Sequence, residues 1–170
     1  MTAFNHSECD PRYIKEFAAT ISNQPLGLAR YRPEVWGQST KCFENVRRKV
    51  QQDGGRARFG WMFHYRVVAD IPGPGYLIAV HHAVWHAPNG YLIDITPFHP
   101  ESKHRPLSSG GDVLFLVDDS ATPVTKERLV APRPSRFYPL SADERLLTHV
   151  QQLVRKEEQE CRQIYEDSQT

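Results

Sequence analysis

The sequence predicts an α+β fold: an antiparallel β-sheet packed against a helix that carries a cysteine, with a further helix at each end of the chain. Two observations carry that prediction. Apolar residues recur at helical spacing in three stretches, near residues 11–22, 40–53 and 141–166, while from Arg58 onward the period changes and Phe59 to Val68 is aromatic and β-branched. The second is Ala87-Pro88-Asn89-Gly90 between two apolar runs, which suits a type I turn closed by a left-handed glycine and therefore a β-hairpin. The chain has 170 residues, 39% of them hydrophobic, enough for one core. No repeat or linker divides it, so residues 1–170 read as one domain with a site-bearing core at about 36–118.

Each element has its own signal. Asp10-Pro11 is an N-cap followed by proline at the first helical position, and Tyr13, Ile14, Phe17, Ala18 and Ile21 give that helix an apolar face to about Ser22. Gly27 to Arg32 predicts a short strand stopped by Pro33, and Glu34 to Gln38 a loop. Ser39 or Thr40 is the expected cap of a second helix, whose buried stripe is Phe43, Val46 and Val50 and whose end is Gly54-Gly55. Arg58 to Val68, Tyr76 to Trp85, Tyr91 to Thr96 and Val113 to Val117 read as strands, the last buried on both faces. Glu101 to Gly111 reads as a polar loop, and Thr122 to Pro139, rich in proline, as a surface wrap with little regular structure. Ser141 with Glu144 forms a capping box for the last helix, about 141–166, which docks through Leu146, Leu147, Val150, Leu153 and Val154 and is expected to project or fray beyond Arg155.

The hairpin holds the chemistry. Its turn pairs Ala87 with Tyr91, so Val84 faces Asp94 and His82 faces Thr96. His82 and Asp94 then share one face as diagonal neighbours, while His81 points the other way. A histidine oriented by a carboxylate is half of a nucleophilic relay. Cys42 is the candidate for the other half, in the first turn of its helix, where unpaired N–H groups, the macrodipole and adjacent Lys41 all favour a thiolate. The upstream Gln38 amide is the candidate oxyanion donor beside the Cys42 N–H, and Trp36, Asn45 and His81 are candidate substrate-lining residues.

This order resembles the papain-like superfamily, most closely its transglutaminase-like and arylamine N-acetyltransferase-like branches. Cys42-Phe43-Glu44-Asn45 is similar to the Cys-Phe-Glu-x-Asn of the acetyltransferases. His82-Ala83-Val84-Trp85 followed by Asp94-Ile95-Thr96-Pro97 is similar to the His-Ala-Trp and Asp-Pro-Thr signatures of transglutaminase-like domains. The wider pattern also resembles small bacterial and phage members of the superfamily. The resemblance spans Trp36 to Pro97, departs in the short His82-to-Asp94 interval and in Ser39-Thr40-Lys41 before the cysteine, and implies a Cys-His-Asp enzyme acting on a small-molecule or peptide acyl substrate.

Other classes are weighed by the same residues. A net charge of +1 provides no basic surface for nucleic acid, and no apolar stretch approaches the roughly 20 residues that span a bilayer. Met1 to Cys9 lacks a charged start followed by an apolar run, and the three cysteines, Cys9, Cys42 and Cys161, fit free thiols in a cytoplasmic protein. No cofactor is expected. Six of the eight histidines fall between His64 and His104, which raises a metal site built on His82, His86 and Cys42, Asp94 or His99. The two strand histidines would stand roughly 13 Å apart, too far for one zinc ion. A non-enzymatic scaffold that binds a partner is the remaining alternative. The sequence carries no signal for oligomeric state.

Overall fold

The computed structural model describes residues 9–102, 104–126 and 129–167. Residues 1–8, on which the expectation of no leader mostly rests, lie outside the described residues. Among the described residues no helix is long and apolar enough to cross a membrane.

The first helix, α1 (Pro11–Ile21), starts as its sequence directs. Asp10 accepts from Arg12 N at 2.9 Å, and Ile14, Phe17 and Ala18 turn inward. Strand β1 (Leu26–Tyr31) leads through a loop to α2 (Cys42–Asp53). Ser39 and Thr40 do not cap α2; Lys41 holds the cap position without a side-chain hydrogen bond. The cause is backbone geometry, since Thr40 takes φ of 66°, a left-handed turn that a β-branched residue rarely adopts. Three strands follow: β2 (Arg56–Arg66), β3 (Tyr76–His86) and β4 (Leu92–Asp94). The hairpin register is the one its turn chemistry sets, with Trp85 opposite Ile93 and Ala87 N donating to Tyr91 O at 2.9 Å.

Beyond the hairpin the structure departs from expectation in four places. The 101–111 loop contains a short strand, β5 (Ser108–Ser109), ahead of β6 (Asp112–Val117). The Pro-rich stretch is not a plain wrap, because it folds into a hairpin, β7 (Val124–Lys126) with β8 (Leu129–Ala131), and then β9 (Arg136–Pro139), which joins β3. Helix α3 (Glu144–Asp167) is capped by Asp143, whose Oδ1 accepts from Arg145 N and Leu146 N, rather than by a Ser141–Glu144 box. Its polar end stays helical to Asp167 and is held to the body: Glu157 Oε1 accepts from Ser135 N at 3.0 Å and Oγ at 2.7 Å, and Cys161 is buried.

The sheet is antiparallel except for one pair. β1 runs parallel to β4 and antiparallel to β6, so β1, β4, β3, β2 and β6 close into a small barrel. Alternation along the strands sorts the core into layers. Ala29, Met62, Val84, Val113 and Phe115 fill the inside. On the outside, α1 covers Trp61, Phe63, Leu114 and Leu116, and α2 packs Val46 and Cys42 on Ala83 and Ile95. Tyr76, Leu146 and Val150 join α3 to the start of β3.

One detail of the ladder positions everything that follows. Along one edge of β3, β9 pairs with Tyr76 to Ala79 and β4 pairs with Trp85 and His86. Between them, at residues 80–84, the edge has no ladder partner among the described residues, and a cleft opens there. Across the other edge, Gly60 of β2 sits opposite His82, and a Cβ at Gly60 would lie 2.0 Å from Leu116 O. Backbone cannot yield as a flexible side chain does. Gly60→Ala should therefore cost at least about 2 kcal/mol, read as a lower urea midpoint with an unchanged slope.

Candidate functional site

Cys42 is the first residue of α2, 7% exposed, and its sulfur faces the cleft beside the β3 gap. The first N–H groups of a helix have no intrahelical acceptors, and here no side chain caps them. One turn on, Asn45 fixes the approach to the helix. Its Oδ1 accepts from Gln38 N at 3.1 Å, and its Nδ2 donates to Gln38 O at 2.8 Å and to Thr96 Oγ1 at 3.2 Å. Thr96 N in turn donates to Asp94 Oδ1 at 3.1 Å. A short polar chain therefore ties the pre-helix loop, α2 and the end of β4 together.

His82 and Asp94 are both buried, at 6% and 0% exposure, and His82 Nε2 lies 3.1 Å from Asp94 Oδ1. The contact has ion-pair length without the alignment of a full hydrogen bond, and Asp94 Oδ2 has no partner among the described residues. Burial alone would push the His82 ring toward neutrality. The Asp94 carboxylate and the nearby Cys42 sulfur outweigh it and hold the imidazolium well above the usual histidine range. Cys42, His82 and Asp94 thus meet where the strand edge opens.

The cleft around them measures 440 Å3. Thr40 to Glu44 form one wall and Met62, His64 and Val80 the floor, with Pro97 to His99 on one side and Val130, Pro132 and Arg133 on the other. Not every sequence-derived candidate belongs to it. Trp36 and Gln38 lie outside the cleft and line a separate depression with Lys41, Glu44, Asn45 and Arg48, where the Arg48 guanidinium stacks 4.2 Å over the Trp36 ring. Gln38 is exposed and does not line the cleft; on the cleft side the uncapped N–H groups are those of the α2 first turn. Asn45 also lines the outer depression, and it positions the loop rather than walling the cleft.

His81 does border the cleft, but both its ring nitrogens are occupied. Nδ1 accepts from Arg133 N at 2.8 Å, so the proton is on Nε2, which donates to Ala121 O. One ring thereby clasps both ends of the excursion that carries β7 and β8. Burial drives its pKa down to about 4, and it does the same to His64, whose neighbour Arg66 adds repulsion. Sequence reasoning missed His64 and the 130–133 wall. His64 has nothing local to mark it, and the wall belongs to a Pro-rich stretch whose return to β3 no short-range pattern encodes.

Among the described residues no three His, Cys, Asp or Glu side chains come together as a metal-holding group. His86 instead accepts from Arg56 Nε at 3.0 Å, and His99 from Glu101 N at 3.2 Å. No family model, curated protein or solved structure matches the chain.

The two classes of histidine titrate in opposite senses. His81 and His64 are held neutral, so the stability they contribute is present above their unfolded value of 6.5 and is lost as pH falls toward 4. The raised His82 contributes below 6.5, and its share is lost only as pH climbs through its higher folded value. Thermal unfolding across pH should therefore show an acid limb below 6.5 that His81→Gln makes shallower and Asp94→Asn leaves in place.

Proposed function

We propose that the protein is a cysteine-dependent acyl-transfer enzyme, a hydrolase or transferase of amides, esters or thioesters, working through Cys42, His82 and Asp94. The observation that carries the reading is the buried His82 ring, set 3.1 Å from Asp94 and sharing one cleft with Cys42 at a helix N-terminus. Packing alone does not call for such an arrangement. A buried charge pair is expensive to desolvate, and apolar residues of similar volume usually serve stability as well or better.

In this mechanism His82 holds the thiol proton as imidazolium, leaving Cys42 as thiolate. The sulfur adds to the substrate carbonyl carbon, and the carbonyl π electrons move to oxygen. Backbone N–H groups of the α2 first turn, Cys42 N–H among them, face the developing oxyanion. As the tetrahedral species collapses, the bond to the leaving amine, alcohol or thiol breaks, and that group takes the proton from His82. The thioester on Cys42 is then attacked by water or another acceptor, with neutral His82 removing the acceptor's proton and returning the pair to its starting state. Asp94 keeps the ring oriented and charged throughout. Asn45 acts through others: it holds the loop before α2 and, through Thr96, the residue that orients Asp94.

The papain-like resemblance supports this reading with a shared order, cysteine on a helix and then histidine and aspartate on consecutive strands. A small barrel beside the helix is compatible with it.

Alkylation tests the proposal directly. At neutral pH iodoacetamide should modify Cys42 far faster than Cys9 or Cys161, and His82→Gln should slow it by about a hundredfold. Asp94→Asn should slow it less, with circular dichroism confirming that both variants fold. Mapping adducts by mass spectrometry across several classes of electrophile identifies the acyl chemistry. A Cys42 no more reactive than free cysteine, with the fold intact, would leave a partner-binding scaffold instead.

A further inference from the structure

We infer that the groove between α2 and the β7–β8 hairpin receives an apolar acyl chain whose carbonyl carbon sits at Cys42, which makes the substrate an ester or thioester of a hydrophobic acid. This rests on the acyl-transfer reading and narrows it. The groove measures 330 Å3, within the range of small-ligand sites, and its walls include Phe43, Val50, Ala57, Phe59, Pro123 and Val130.

Its position argues for one occupant. Phe43, Glu44 and Val130 line both this groove and the cleft that holds Cys42, so the first ends where the second begins. Phe43 directly follows the nucleophile in the chain. From there Arg47, Val50 and Gln51 continue on the same helix face at the fourth, seventh and eighth positions, leading roughly 12 Å along the axis away from the sulfur. A group attached to a carbonyl carbon at Cys42 has this path beside it.

Its chemistry selects a hydrocarbon over a peptide. Of the polar side chains, Arg47, Gln51 and Thr125 are exposed and Glu44 is half-buried where the groove meets the cleft, while the other lining residues present aromatic and aliphatic carbon. An extended peptide would bring one N–H and one C=O per residue into walls that offer few partners, at a cost for each group left unpaired. An alkyl chain brings none. For an ester the step balances simply. The Cys42 sulfur–carbon bond forms, the carbon–oxygen bond breaks, and the alcohol leaves with the His82 proton. Water then releases the acid and restores the thiol.

The test uses the intact chain and p-nitrophenyl esters from acetate through butyrate and hexanoate to decanoate. Turnover as kcat/KM should rise about fourfold per methylene until the groove is full. Thr125→Trp, which places an indole at the rim, should flatten that rise. In parallel, Cys42→Ala protein should bind a dansyl-labelled fatty acid at one saturable site, weakened about tenfold by Thr125→Trp. A flat chain-length profile on a reactive Cys42, or a preference that follows the alcohol instead of the acyl group, overturns the groove assignment and leaves the acyl-transfer reading standing. Fatty-acid binding without any Cys42-dependent turnover keeps the groove and sinks the acyl-transfer reading. Absence of both fatty-acid binding and a chain-length effect overturns this inference outright.

Discussion

The structure turns on a charge pair kept out of water. His82 and Asp94 are almost wholly buried at the mouth of a small barrel, and neither belongs there on grounds of hydrophobicity. Each ion would cost several kcal/mol to bury alone, and leaving one without the other costs about 3–5 kcal/mol. Every element around the site answers that constraint. β3 and β4 carry the two side chains, β1 locks β4 from its other edge, and the polar chain through Thr96 and Asn45 fixes the helix that brings Cys42 against the ring.

The cleft follows from how β3 is shared. One edge serves β9 along its first residues and β4 at its end, and these partners leave residues 80–84 unladdered between them. The adjacent histidines in that gap point to opposite faces and do opposite things. His82 looks inward and is held charged, whereas His81 looks outward, stays neutral and clasps the backbone at Ala121 and Arg133. Strand alternation alone assigns these roles. A one-residue slip in register would exchange them and dismantle the site together with the wall beside it.

The parts legible in the sequence are those governed by local chemistry. Asp10-Pro11 marks the start of α1, and Pro88-Asn89-Gly90 fixes a turn and through it a register that brings His82 beside Asp94. The cap of α2 was not legible, because a favourable residue type at position 40 says nothing of a left-handed backbone there. Gln38 looked like an oxyanion donor by proximity in sequence, but Asn45 grips its backbone and its side chain emerges on the far side of the loop. The barrel was not legible at all. Its closure depends on β1 pairing in parallel with β4 and antiparallel with β6, contacts between segments more than sixty residues apart. The hairpin in the Pro-rich stretch and the hold of Glu157 on Ser135 are long-range in the same way.

The closing of that barrel sets when a growing chain acquires its chemistry. The ring that meets Cys42 lies forty residues downstream, its carboxylate partner twelve further, and the strand bearing the carboxylate is gripped by β1, whose other edge waits for β6 to emerge. Until residue 117 has been made and has left the ribosome, β1 lacks its second neighbour and the barrel that buries the His82–Asp94 pair cannot close. Topology of this kind works as a timer: the order of synthesis withholds the assembled cleft until the last strand of the ring exists.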